Sequence, residues 1–180
     1  MPGQVAERSA RVSPELRRRL WGAVGILSLA GAVLLFAAAL GRRVVWNLSP
    51  SVPRGLYALM SGRACGRGAL VSFHPTGVAA ATIYRRDYLP VGAGLIKRLV
   101  GLPGDRACVR TDGFYVNGTR FGDVALADSR GRPLAPYRFC GAVPPGQAFV
   151  ATTAHLSYDS RYFGPVPLSS LTPVVPLWTY

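Results

Sequence analysis

From Leu20 to Leu40 the chain runs for 21 residues without a charged side chain. At a helical rise of 1.5 Å per residue, that stretch spans roughly 31 Å, the thickness of a bilayer core. Arg8, Arg11, Arg17, Arg18 and Arg19 precede it, and Arg42 and Arg43 follow it. The positive-inside rule then puts the N-terminus in the cytoplasm and residues 44–180 outside, with an asymmetry kept modest by the basic second flank. Ala37-Ala38-Ala39 also looks like a cleavage site, but the apolar run is longer than the ~7–15 residues usual for a removed signal. A buried soluble helix is the poorer fit, because the run has no amphipathic stripe. The preferred organisation is a basic cytoplasmic N-terminus (1–19), a transmembrane anchor (20–40) and an extracytoplasmic domain (44–180).

The formal net charge is +13, from 21 basic and 8 acidic residues. Residues 44–180 keep 14 basic residues against 6 Asp. Such a surface calls for an anionic neighbour. On the outer side of a membrane that neighbour is the lipid headgroup layer rather than nucleic acid, for which no motif is present. Cys65, Cys108 and Cys140 have no metal-ligand spacing, so no metal or other cofactor is expected. In an oxidising compartment two of the three can pair, with Cys108–Cys140 the weak preference and Cys65 left over; three separate buried thiols fit the sequence equally well.

Gly and Pro are spread along the chain, as in a turn-rich β protein. Tyr57–Met60, Ala69–Phe73, Leu95–Leu102, Ala107–Arg110, Phe114–Val116 and Ala148–Thr152 read as strands. Asn117-Gly118 between Phe114-Tyr115-Val116 and Thr119-Arg120-Phe121 signals a tight hairpin. Residues 123–138 have little periodicity and read as a surface excursion. The fold class is therefore mainly β, preceded by one apolar helix.

Lys97 is the only lysine; the other 20 basic residues are arginine. It lies in the apolar run Leu95-Ile96-Lys97-Arg98-Leu99-Val100, where a charged head is poorly placed. Burial can deprotonate an ammonium but not a guanidinium, so Lys97 is a candidate general base. A base needs a group to deprotonate, and Ser51 stands between Pro50 and Pro53, which stiffen the backbone around it. Read alone, that stretch is more readily a Pro-rich linker. A third segment, Leu156-Ser157-Tyr158-Asp159-Ser160-Arg161-Tyr162-Phe163-Gly164, offers a structural ion pair and a serine able to hydrogen-bond an amine. Read alone, it is equally a capped turn.

Together the three segments resemble, in order, the boxes of the type I signal peptidases, the S26 Ser/Lys-dyad endopeptidases. Lys97-Arg98-Leu99-Val100-Gly101-Leu102-Pro103-Gly104-Asp105 looks like the lysine box, and Ser157-x-Asp159-Ser160-Arg161-Tyr162-Phe163-Gly164 like the C-terminal box. Ser51-Val52-Pro53-Arg54-Gly55-Leu56-Tyr57 departs from the Ser-Met-x-Pro-Thr-Leu of the housekeeping enzymes. It is similar instead to the conjugative-transfer, TraF-type branch. The resemblance implies a β-rich catalytic domain with Ser51 as nucleophile and Lys97 as base. It implies that the Ser49 hydroxyl and the Ser51 amide form an oxyanion hole, and that Ser157 orients the amine. Asp159 and Arg161 would form the ion pair that holds the C-terminal box.

The chemistry sets a quantitative requirement. An ordinary lysine has a pKa near 10.4, so about 1 in 2,500 is neutral at pH 7. A half-neutral Lys97 at that pH needs a drop of ~3.4 units, and full burial supplies up to 3–5. The expected function is processing of an exported pilin precursor in a type IV secretion system, by cleavage and, as in some conjugative-branch members, ring closure. The enzyme would sit in the bacterial inner membrane with its catalytic domain periplasmic, beside other conjugation-apparatus proteins. Two alternatives are a general signal peptidase acting on secreted preproteins and a non-catalytic anchored component of a secretion complex.

Overall fold

The computed structural model describes residues 13–41 and 44–180. The chain divides into two compact units, Met1–Arg42 and Arg43–Tyr180.

The first unit contains one helix, α1 (Pro14–Gly41). Ser13 Oγ accepts from Leu16 N at its start, Pro14 occupies the first helical position, and Glu15 lies in the first turn. All three choices suit a helix N-terminus, where backbone N–H groups lack partners and the dipole favours an anion. Trp21, Ile26, Leu27, Leu35 and Phe36 on α1 are exposed. The helix is long and apolar enough to cross a membrane.

The second unit is mainly β, in line with the sequence reading. Its strands are β1 (Val44–Asn47), β2 (Gly55–Leu59), β3 (Leu70–Phe73), β4 (Leu95–Gly101), β5 (Arg106–Arg110), β6 (Gly113–Val116), β7 (Thr119–Gly122), β8 (Phe139–Ala142), β9 (Gln147–Ala151), β10 (Val166–Pro167) and β11 (Thr172–Thr179). Two short α-helices, α2 (Gly77–Arg85) and α3 (Ser160–Phe163), and one 3-10 turn, Leu168–Ser170, interrupt them. A seven-stranded sheet has the order β1-β2-β11-β3-β4-β9-β10, and a four-stranded sheet the order β7-β6-β5-β8. The ladders are antiparallel.

The predicted Asn117-Gly118 turn joins β6 to β7, with φ of 50° and 80° at the two residues. Positive φ at both central positions matches the right-handed twist of the flanking strands. Cys108 faces Cys140 across the β5–β8 ladder, and the two form a disulfide. Cys65 is free.

Strand β4 is where the packing converges. Leu95 and Leu99 enter one apolar cluster with Val71, Phe73, Ile83 and Val150. Ile96 enters a second with Val52, Tyr57 and Val174. Val100, carried past a bulge between Leu99 and Gly101, enters a third with Phe114, Val143 and Phe149. Lys97 therefore shares the Leu95/Leu99 face by the two-residue period of a strand. Only half of its apolar sequence neighbours help to dry it.

The 123–138 segment is an excursion, as expected, but it is not loose. Val124 is buried, and Leu134 packs against the Phe114 cluster.

Candidate active site

Three segments converge on Lys97. The first is the loop of residues 48–54 between β1 and β2, whose ends are fixed by the Asn47↔Gly55 pair. Gly55 has φ +143°, and a Cβ there would lie 2.0 Å from the Trp178 carbonyl oxygen. Only glycine permits that approach of β2 to β11. Inside the loop, the buried Asn47 amide donates to the carbonyls of Ser49, Val52 and Pro53 at 2.9, 3.1 and 3.0 Å. Asn47 Oδ1 accepts from Ser49 N at 3.2 Å, and the Tyr57 hydroxyl donates to the Pro53 carbonyl at 2.6 Å. One asparagine and one tyrosine thus fix the loop that presents Ser51.

The second segment is β4. Lys97 is 2 % exposed, and its Nζ donates to Ser51 Oγ at 2.7 Å and to Ser157 Oγ at 2.8 Å. Ser49 Oγ lies 2.6 Å from Ser51 Oγ and accepts from Ser51 N at 3.2 Å. Burial drives the Lys97 pKa down to about 8; the Asp159 carboxylate opposes the shift and the Arg161 guanidinium adds to it. At pH 7 roughly one molecule in ten then carries a neutral amine, against about one in 2,500 for a free lysine.

The third segment runs from β9 into α3. Asp159 and Arg161 are both 0 % exposed. Arg161 Nε and Nη2 donate to the two Asp159 oxygens at 2.8 and 2.7 Å, a two-pronged arrangement that favours arginine over lysine. The remaining Arg161 donors reach the carbonyls of Asp123, Thr152 and Ala154 at 2.7, 3.1 and 3.1 Å. Asp159 also accepts from Thr152 N and Arg161 N. This pair ties down both sides of the 152–158 loop that carries Ser157. Gly122, φ +151°, leaves the room: a Cβ there would meet Arg161 Nη1 at 2.9 Å.

The two serines, the lysine and Ser157 border a cleft of about 530 Å³, whose wall also includes Ile83, Leu89, Leu95 and Tyr158. Among the described residues no group of His, Cys, Asp or Glu is placed to hold a metal ion.

The sequence profile described as "Signal peptidase, peptidase S26" matches residues 17–178. The chain belongs to the S26 signal peptidase family. A "Conjugal transfer protein TraF" from Agrobacterium fabrum (strain C58) is 36% identical over 172 residues, covering 87% of this chain and 96% of that protein. A "Probable signal peptidase I-2" from a Synechocystis strain is 33% identical over 106 residues, covering 58% of this chain but 44% of that protein. Among solved structures, a signal peptidase I from Enterococcus faecalis V583 is 26% identical and aligns with 63% of this chain and 97% of its own, at a TM-score of 0.38. Membership of the S26 family supports a serine-peptidase kind of activity.

Of the residues singled out from the S26 boxes, Ser49, Ser51, Lys97 and Ser157 lie in one hydrogen-bond network, and the Asp159–Arg161 pair meets it through the Ala154 carbonyl, which accepts from Arg161 Nη2 and from Ser157 N. The sequence reading assigns no site role to Asn47, Tyr57 or Gly122. Asn47 offered one signal, an Asx residue two positions before a Ser-Pro turn, where such side chains cap backbone groups. Asn47→Ala leaves several loop carbonyls and the Ser49 N–H without their partner. At roughly 1–3 kcal/mol for unsatisfied buried groups, the melting temperature should fall by about 3–8 °C, read by thermal unfolding.

Proposed function

We propose that this chain is a membrane-anchored serine endopeptidase that works through a Ser51/Lys97 dyad on an exported precursor, with a conjugative pilin as its substrate. The observation that carries the reading is the 2.7 Å contact between Ser51 Oγ and the Nζ of a lysine that is buried and shifted toward neutrality.

With a neutral amine the protons fall into place. Lys97 Nζ donates one hydrogen to Ser157 Oγ, and its lone pair accepts the Ser51 hydroxyl hydrogen. Ser49 donates its own hydrogen to Ser51 Oγ. When Ser51 attacks, its Oγ–C bond forms, its proton passes to Lys97, and Lys97 then hands that proton to the leaving amine. The Ser51 amide and the Ser49 hydroxyl would stabilise the oxyanion once the substrate oxygen replaces Ser49 Oγ as the acceptor of Ser51 N–H. Water resolves the acyl-enzyme to an acid; an amine of the same substrate closes a ring.

The conjugative assignment draws on coverage: the conjugal transfer relative matches over nearly its whole length, the signal peptidase I relative over less than half. The apolar α1 serves as the anchor, with the N-terminus cytoplasmic and the catalytic domain in the periplasm of the inner membrane. The net positive charge of residues 44–180 suits anionic headgroups nearby.

Mass spectrometry of a candidate pilin, made with the wild-type protein or with Ser51→Ala, tests the reading. The wild type should yield a shortened pilin, with one further water lost if the ring closes. Identical processing by both proteins would overturn the dyad. Growth rescue of a strain depleted of its own signal peptidase would shift the assignment to a general preprotein role.

The pH dependence follows from the lysine. Its folded pKa near 8 means that kcat/KM should rise about tenfold per pH unit below pH 8 and level off above it. A profile flat from pH 6 to 9 would contradict a neutral-amine base.

A further inference from the structure

One feature of the cleft plays no part in the chemistry at Ser51. The excursion folds into a tight turn at Asp128–Arg132, closed by Asp128 N donating to the Arg132 carbonyl and Gly131 N to the Asp128 carbonyl. The Asp128 carboxylate accepts four hydrogen bonds, from the Tyr88 hydroxyl at 2.6 Å, Arg132 Nε at 2.7 Å and the Arg130 and Arg132 amides at 2.9 and 3.0 Å, and pairs with Arg86 at 3.5 Å. Arg132 also stacks over the Tyr88 ring, 5.4 Å from its centroid, and donates to the Arg86 carbonyl. The turn is thereby latched to the segment that joins α2 to β4.

The charges along this wall are unequally committed. Arg86 and Arg132 are held by Asp128, and His155 by Asp123. Arg130 and Asp87 both line the cleft. Among the described residues neither forms an ion pair. Asp87 sits at φ +54°, immediately before the latch residue Tyr88. The backbone of Arg130 is fixed by its own N–H on Asp128, and Asp128 has little capacity left to neutralise the Arg130 guanidinium.

We propose that the latched turn 128–132 is a specificity wall of the cleft and that Arg130 is its cationic subsite for a carboxylate side chain of the substrate, away from the scissile bond. The proposal rests on the peptidase reading above, so its test separates binding from chemistry. An exposed ion pair is weak, and partial desolvation in a cleft strengthens it, so a preference of about three- to tenfold is expected.

The experiment uses full-length protein in detergent micelles with Ser51→Ala, so that bound peptides are not consumed. Peptides built on an Ala-x-Ala core, the small-residue pattern at which signal peptides are cleaved, carry Glu, Gln or Lys at one flanking position at a time, and their Kd values are measured. At one position or more, the Glu peptide should bind about three- to tenfold tighter than the Gln peptide. Arg130→Gln should remove that preference and Arg130→Glu should transfer it to the Lys peptide. Tyr88→Phe, which removes one latch bond, should reduce the preference. Equal affinities across the three peptides, including no binding by any, overturn the subsite, as does an undiminished preference in Arg130→Gln. Cleavage of the Gln peptide by protein with Ser51 intact reports on the peptidase reading independently.

Discussion

Lys97→Met is expected to lower turnover by at least about 10³-fold while leaving the domain folded. A positioned general base supplies typically 10²–10⁴-fold, and members of a dyad act as a unit, so the loss should match that of Ser51→Ala. Methionine nearly matches the lysine stem in volume and removes the amine. Lys97→Arg retains charge but has no accessible neutral form, and it should be equally inactive. Peptide cleavage at pH 8 measures both.

The same variant should also show what burial of the amine costs. The Lys97 pKa is near 8 in the folded protein, against an ordinary 10.5. Below pH 8 the folded state must accept a proton in a dry site, at a cost of about 3 kcal/mol from the pKa difference. That penalty shrinks as pH rises from 8 to 10.5, where the unfolded chain also loses the proton. The stability of Lys97→Met relative to wild type should therefore be greatest below pH 8 and decline above it. Denaturant unfolding at pH 7 and pH 10 would check this, and an unchanged difference would show that the lysine is not desolvated.

Asp159→Asn should produce the largest loss of stability. It leaves the Arg161 guanidinium, 0 % exposed, without a counter-charge. Breaking such a pair from one side costs about 3–5 kcal/mol. For a domain of this size that corresponds to a fall of roughly 10–15 °C in melting temperature. Activity should fall as well, because Arg161 holds the Thr152 and Ala154 carbonyls and so the loop bearing Ser157. A displacement near 1 Å costs up to about 10²-fold in rate. Scanning calorimetry and peptide cleavage below the transition separate the two effects. A melting temperature within 2 °C of wild type would contradict the structural role of the pair.

The strands that the sequence made legible are those with β-branched and aromatic residues between clear turn signals; β3, β4, β5, β6 and β9 lie within about two residues of their expected bounds. Strand β11 was hidden by Pro173 and Pro176. Proline cannot donate to a ladder and argues against a central strand. Here each half of β11 is paired on one side: Thr172 and Pro173 with β3, and residues from Val174 onward with β2, across a bulge. Helix α2 was missed because Gly77-Val78-Ala79-Ala80-Ala81 has no side-chain cap and little polar contrast. The six candidate site residues were visible through their S26 boxes. Of their supports, Asn47 and Tyr57 bond carbonyls only two to six residues away, within reach of an Asx-turn signal, whereas Gly122 faces Arg161, 39 residues on, a contact that no local pattern encodes.

The network around Lys97 is built from partners distant in the chain, with Ser51 46 residues before it and Ser157 60 after it. Contacts of such separation form late, because loop closure must precede them. A partly folded chain therefore carries a serine with ordinary alcohol reactivity and a lysine with an ordinary ammonium. Under the proposed dyad, neither group is activated until β4 is paired with β3 and β9 and water is expelled from its face. On that proposal, chemical competence is tied to completion of the sheet, and a partly folded molecule would have no activated nucleophile to turn on its neighbours.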